Sequence, residues 1–187
     1  MHLGLALIIF SFCLWMGLHF FRDARLPAAA GPGVALSGTI AVLVLVQSLL
    51  GALVAGLDAG TTYTDWPFMD GDVVPSGLFD MSPTVSNLFE SHLTVQFNHR
   101  LVAYALTIAV IWHVFRLARA KAPKPVLVSG ALLVAAVLGQ GVLGIVTLMN
   151  AVPLPLGAAH QLGAVLVLGL AVTHLHYMRF PMVVAFR

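Results

Sequence analysis

Two histidines sit where apolar side chains would be cheaper. His99 lies in Val95-Gln96-Phe97-Asn98-His99-Arg100-Leu101-Val102-Ala103-Tyr104, which opens a hydrophobic run long enough to cross a bilayer. His160, in Ala158-Ala159-His160-Gln161-Leu162, holds the equivalent place on the last such run. An ionisable group within a membrane span marks a functional site by default. With no Cys, Asp or Glu nearby, two imidazoles do not make a zinc site, which takes four ligands. They do suit the two axial positions of a haem iron, whose remaining ligands come from the porphyrin. Arg100, one residue beyond His99, is placed to pair with a haem propionate. The alternative for each histidine is a plain hydrogen bond to a neighbouring helix.

The elements that must position these residues follow from composition. The chain has 187 residues, 60% hydrophobic and 9% charged, with a mean hydropathy of +0.99. Soluble domains carry roughly 25% charged residues, so an all-α integral membrane protein is predicted. The net charge is only +2, and the basic residues fall in short clusters between apolar runs, a topology signal and not a nucleic-acid footprint. The single Cys13 excludes an internal disulfide and reads as a small buried apolar residue. Five stretches approach the roughly 20 residues of a spanning helix, at about 2–21, 37–57, 94–115, 126–149 and 158–178.

Loop charge orients the spans. Arg22 and Arg25 follow the first, Arg116, Arg119, Lys121 and Lys124 the third, and Arg179 and Arg187 the fifth. The 58–93 loop holds Asp58, Asp65, Asp70, Asp72, Asp80 and Glu90 without Lys or Arg. The positive-inside rule predicts the N-terminus outside, the C-terminus inside and the acidic loop outside. That loop also carries Tyr63, Trp66, Phe68, Phe79 and Phe89, as an interfacial aromatic belt or a lid over a bound group. Pro27, Pro32, Pro123 and Pro125 read as helix stops.

An internal repeat sets the architecture. Gln47-Ser48-Leu49-Leu50-Gly51 in the second span matches Gln140-Gly141-Val142-Leu143-Gly144 in the fourth. Each precedes a span opening His-x-Leu-x-Ala, at His99 and His160. Two copies of a two-helix unit predict a four-helix bundle over 37–178, with residues 1–22 as a separate helix. In an up-down bundle the two histidine helices are diagonal neighbours, leaving a gap that two imidazoles and a metal can fill. Gly51, Gly56, Gly139, Gly141 and Gly144 would give a macrocycle room. Gln47 and Gln140 would bond across helices or to a ligand. His113 and His174 each lie 14 residues after a candidate ligand, about 21 Å along a helix and on nearly the same face. Such spacing also fits a two-haem electron carrier. With His176 they otherwise read as interfacial, as do His19 and His92. The spans hold no nucleophile elbow, phosphate loop, HExxH or carboxylate pair.

The ordered motifs Gly51-Ala52-Leu53-Val54-Ala55-Gly56-Leu57-Asp58-Ala59-Gly60, Tyr63, Asp65-Trp66-Pro67-Phe68-Met69, Asn87-Leu88-Phe89-Glu90, Val95-Gln96-Phe97-Asn98-His99-Arg100 and Ala159-His160-Gln161 resemble haem A synthases of the mitochondrial and alphaproteobacterial type. The resemblance runs over essentially the whole chain. It implies an inner-membrane protein of two four-helix halves, oxidising a methyl group of haem O to the formyl group of haem A for terminal oxidases. It implies haem B, with its iron, held by His99 and His160. The family's substrate half carries a catalytic Glu three residues before its first histidine. Gln96 stands at that offset here, so no catalytic residue is assigned. The chain resembles the fourth helix plus the C-terminal half, with His2 matching the last histidine of the other half. The expectation is a haem-holding portion that pairs with another half, a second subunit or its own copy. The rival expectation is a bis-histidine cytochrome-b-type carrier or anchor without catalysis of its own.

Overall fold

The computed structural model describes residues 2–21 and 32–180. Arg22, Arg25, Pro27 and Arg187 lie outside the described residues. Those described form α1 (His2–Phe21), α2 (Pro32–Gly56), the short α3 (Asn87–Glu90), α4 (His92–Arg119), α5 (Lys124–Met149) and α6 (Leu154–Arg179). Five of these helices are long and apolar enough to cross a membrane. Among the described residues no strand forms beyond an isolated bridge between Met69 and Asp72. In a bilayer each backbone N–H and C=O must be satisfied within its own segment, and the helix achieves that.

The helices begin earlier than the apolar runs. α5 starts at Lys124 and α6 at Leu154, each with a proline, Pro125 and Pro155, in its first turn. Pro32 likewise opens α2. Pro32 and Pro125, read from sequence as stops, are helix starts: the missing N–H of proline is unbonded there anyway and its φ is already helical.

α2 packs on α4 and α6, and α5 packs on the same two helices; α1 lies against α6 and α2. The enclosed core is a layered stack. Its middle is apolar, with Ile40 and Val44 from α2, Leu106 and Val110 from α4, Leu133 and Val137 from α5, and Val167, Leu168, Ala171 and Val172 from α6. Leu7 of α1 joins it. Polar residues lie at both ends of that middle: Gln47, His99, Gln140 and His160 towards one, Ser37, His113, Ser129 and His174 towards the other. Outward positions are apolar as well, as at Ile108, 69% exposed, and Leu162, 72% exposed. Such helices face lipid on their outer sides. Cys13 is exposed on α1, not buried as its sequence context suggested, because α1 meets the other helices along one side only.

The connection between α2 and α3 is folded, not slack. Asn87, fully buried, donates from Nδ2 to the carbonyls of Met81 (3.0 Å) and Thr84 (2.9 Å) and accepts from the Met81 N–H. Ser91 caps α4 by accepting from the Thr94 N–H, and the Thr94 hydroxyl donates to the Leu78 carbonyl. Buried backbone groups of a long loop need such partners.

Candidate functional site

His99 and His160 face each other across the interior. Their ring centroids are 6.5 Å apart and their planes meet at 82°. Behind each ring stands the same pair of residues on a neighbouring helix. A Cβ at Gly51 would lie 3.1 Å from His99 Cε1, and one at Gly144 would lie 2.8 Å from His160 Cε1. The glycines therefore make room for the imidazoles themselves, where the sequence suggested room for a larger group. Gly56, Gly139 and Gly141 are exposed, with open space beside them. Gln47 Nε2 donates to the His99 carbonyl at 3.0 Å and lies 3.0 Å from Nδ1. Gln140 Nε2 donates to the His160 carbonyl at 2.6 Å and lies 3.1 Å from Nδ1.

Arg100 reaches the loop. Its Nη1 donates to the Phe68 carbonyl at 2.9 Å and its Nη2 to that of Tyr63 at 3.1 Å. Gln96 also donates to Tyr63 O, at 2.8 Å. The Arg100 Nε–H is buried without a partner, leaving a donor for an acceptor beside His99. Trp66 Nε1 donates to the Tyr104 hydroxyl at 3.1 Å, so Gln96, Arg100 and Tyr104 of α4 all pin the 63–68 part of the loop. A pocket of about 150 Å³ opens between loop and helix, lined in part by Pro67, Met69, Phe97, Arg100 and Tyr104. Its helix lining, Phe97, Arg100, Leu101 and Tyr104, is the face of α4 turned away from His99. Asp65, outside the spans, has its carboxyl raised by slight burial. Hydrogen bonds from the backbone of Gly71, Asp70 and Asp65 itself, with Arg100 nearby, outweigh that and hold it below the ordinary carboxylate value.

At the other end the arrangement differs. His113 and His174 are buried inside the protein and bond directly, Nε2 to Nε2, at 3.0 Å. Ser129 Oγ lies 2.8 Å from His174 Nδ1 and donates to the Val126 carbonyl. His176, also buried, has its ring 5.0 Å from that of Trp15. Sequence reasoning missed Ser129; nothing in its local pattern separates it from any small residue facing a helix. His92 lies 3.2 Å from the Thr62 hydroxyl, and His2 is exposed at the start of α1.

Chemistry can be read from the donor set. Among the described residues no group of three or more His, Cys, Asp or Glu side chains converges. The facing pair supplies two nitrogens, so a metal there takes its other ligands from a bound group, as haem iron does from its porphyrin. The 6.5 Å between the His99 and His160 centroids leaves room for two metal–nitrogen bonds of roughly 2 Å each. The 3.0 Å between His113 and His174 nitrogens is shorter than two such bonds.

Fold and site together define a multi-pass helical membrane protein with a facing histidine pair in its interior. The chain belongs to the COX15-CtaA family, described as cytochrome oxidase assembly protein, which it matches over residues 1–172. It is 45% identical over 175 residues to a protein named Heme A synthase from Parvibaculum lavamentivorans, covering 94% of this chain and 49% of that one. It is 45% identical to the Heme A synthase of Rhizobium meliloti, with 92% and 47% covered. The Heme A synthase of Rhodopseudomonas palustris is 43% identical over 183 residues, with 96% and 49% covered. The chain spans about half the length of the curated relatives it matches. No solved structure matches it. Family and helices together make it a multi-pass protein of the bacterial inner membrane, of a family that works with haem.

Proposed function

We propose that this chain is the haem-B-binding portion of a haem A synthase, with His99 and His160 as axial ligands of the iron. The observation that carries the reading is the 6.5 Å separation of the facing imidazoles, in a chain whose relatives bear that name. α2, α4, α5 and α6 form the four-helix bundle that holds the group, while α1 packs on its outside against α6 and α2. The acidic loop faces outside, with the N-terminus outside and the C-terminus inside, which puts the basic residues from Arg116 to Lys124 on the inner side.

When bound, haem supplies one-electron chemistry. The chain's own residues do the rest. His99 and His160 would hold the group between diagonal helices. Arg100, through its unpartnered Nε–H, offers a charged donor to a propionate while holding the loop over that end. The apolar walls keep water out and set a low dielectric around the group. In the enzyme this portion serves the oxidation of a methyl group of haem O to the formyl group of haem A. Gln96 accepts and donates hydrogen bonds but carries no proton to exchange, so the acid–base work of that oxidation falls to other residues.

The direct bond between His113 and His174 weighs against the two-haem carrier, which needs a second iron between them. The function is tested by supplying haem O to membranes containing the chain, then extracting and separating the haems. Hydroxylated or formyl haem above the level of control membranes supports the synthase reading. Unchanged haem O in membranes that hold a b-type haem in this chain would leave it as a carrier or anchor.

A further inference from the structure

The repeat that relates α2 to α5 has a structural counterpart. In each, a glutamine stands four residues before a glycine, so both lie on one helix face. In each, the glycine abuts the Cε1 edge of a histidine on the following long helix. In each, the glutamine Nε2 bonds that histidine's backbone carbonyl and sits about 3 Å from its Nδ1. A ring that holds iron through Nε2 carries its proton on Nδ1, and the amide turned end for end offers that N–H its oxygen as acceptor. The Gln47 Oε1 is left buried and without a partner, a costly arrangement for an amide. Gln140 has its own fitted space: a Cβ at Gly163 would meet its Oε1.

Imidazole rotation about χ2 is broad and weakly set by the rotamer alone. Something outside the side chain must fix the ring plane. We propose that Gln47 with Gly51, and Gln140 with Gly144, are two copies of one cradle that sets the rotation of the His99 and His160 rings. Through that rotation they tune the ligand field and reduction potential of the haem between them. The glycine admits the ring edge, and the glutamine amide accepts from the ring Nδ1–H. The rings that the two cradles hold stand at 82°. Gln47 and Gln140 are thus positioning residues, acting through the histidines. Hydrogen bonding around axial ligands is one of the means by which a protein sets haem potential. The proposal rests on the reading of His99 and His160 as ligands.

The test uses the full chain purified with its haem, comparing Gln47→Met and Gln140→Met with the unaltered protein. Methionine keeps the length and apolar volume and removes the amide. The readouts are the low-spin ferric electron paramagnetic resonance spectrum and the midpoint potential. Near-perpendicular axial planes give one large g value, so a cradle that sets the angle predicts a signal displaced towards a rhombic form in each variant. A shifted potential should accompany it, with haem content retained. Spectra and potentials of both variants superimposing on those of the unaltered chain would overturn the proposal. If a methionine variant does not accumulate, Gly51→Ala tests the same cradle from the other side, since the added methyl presses on Cε1. A displaced signal there supports the proposal and an unmoved one overturns it. His99→Ala and His160→Ala separate the two levels of argument. Low-spin haem surviving in both would sink the ligand reading and this proposal with it, whereas loss in both with unmoved glutamine variants sinks this proposal alone.

Discussion

Around His160 the packing is tighter than around His99, by the measure of where a methyl group would fall. The Gly144 position leaves 2.8 Å to Cε1 and the Gly51 position 3.1 Å. A contact under 3 Å forces the ring or helix to move, and overpacking of this kind costs about 1–3 kcal/mol. Gly144→Ala is therefore expected to lower the unfolding temperature in detergent more than Gly51→Ala does. Equal melting of the two variants would contradict the packing described. The opposite polar layer makes a second prediction. Ser129→Ala leaves His174 Nδ1 buried without its partner, a loss of about 1–3 kcal/mol. Thermal melting measures it, and no change would mean that the Ser129 contact contributes nothing. Neither prediction was legible in the sequence at this scale. The Gln-x-x-x-Gly repeat could be seen, but not that its glycine faces a ring edge. Spacing along one helix does not reveal which side chain of another helix fills the gap.

At the scale of elements the spans were legible because length and hydropathy suffice to find them. Their starts were not, since the prolines at 32 and 125 signal either an end or a beginning and only the following turn decides. The loop between α2 and α4 was legible as aromatic and acidic, not as a packed unit. Its order comes from Asn87, whose three bonds close the segment 81–87 on itself, and from Arg100, Gln96 and Tyr104 reaching out of α4. Arg100→Ala removes both carbonyl contacts, and we expect it to free the loop. Trp66, bonded to Tyr104, reports this as a red-shifted emission and faster proteolysis within 62–83; unchanged cleavage would contradict it. Acid offers a gentler probe. The Asp65 carboxyl is depressed in the folded loop, so its contribution is present above the ordinary value of 3.8 and fades as pH falls through the lower folded value. Trp66 emission should stay level from neutral pH down to that ordinary value and drift only below it.

For the whole molecule, the decisive feature is the separation of two polar layers by an apolar one. The four helices around the core present a spaced histidine pair at one end and a directly bonded pair at the other. One end leaves its two rings apart, where the proposed iron would sit, and the other closes on itself. Positive-inside asymmetry puts the spaced pair towards the outer face in the proposed topology, near the acidic loop. A single added cysteine in that loop should react with an impermeant maleimide from outside intact cells, whereas one at position 122 should not. The four histidines were visible in the sequence, two on each of two spans and 14 residues apart along each, but the difference between the two pairs depends on Ser129, Gln47 and Gln140, which lie on other helices. The measurement that bears most directly on the account is a haem count on the purified chain, with a reduced-minus-oxidised spectrum, for the unaltered protein and for His99→Ala, His160→Ala and His174→Ala. The account predicts one low-spin b-type haem per chain, lost in the first two variants and kept in the third. Two haems per chain, or a low-spin spectrum that survives in His99→Ala and His160→Ala, would contradict it.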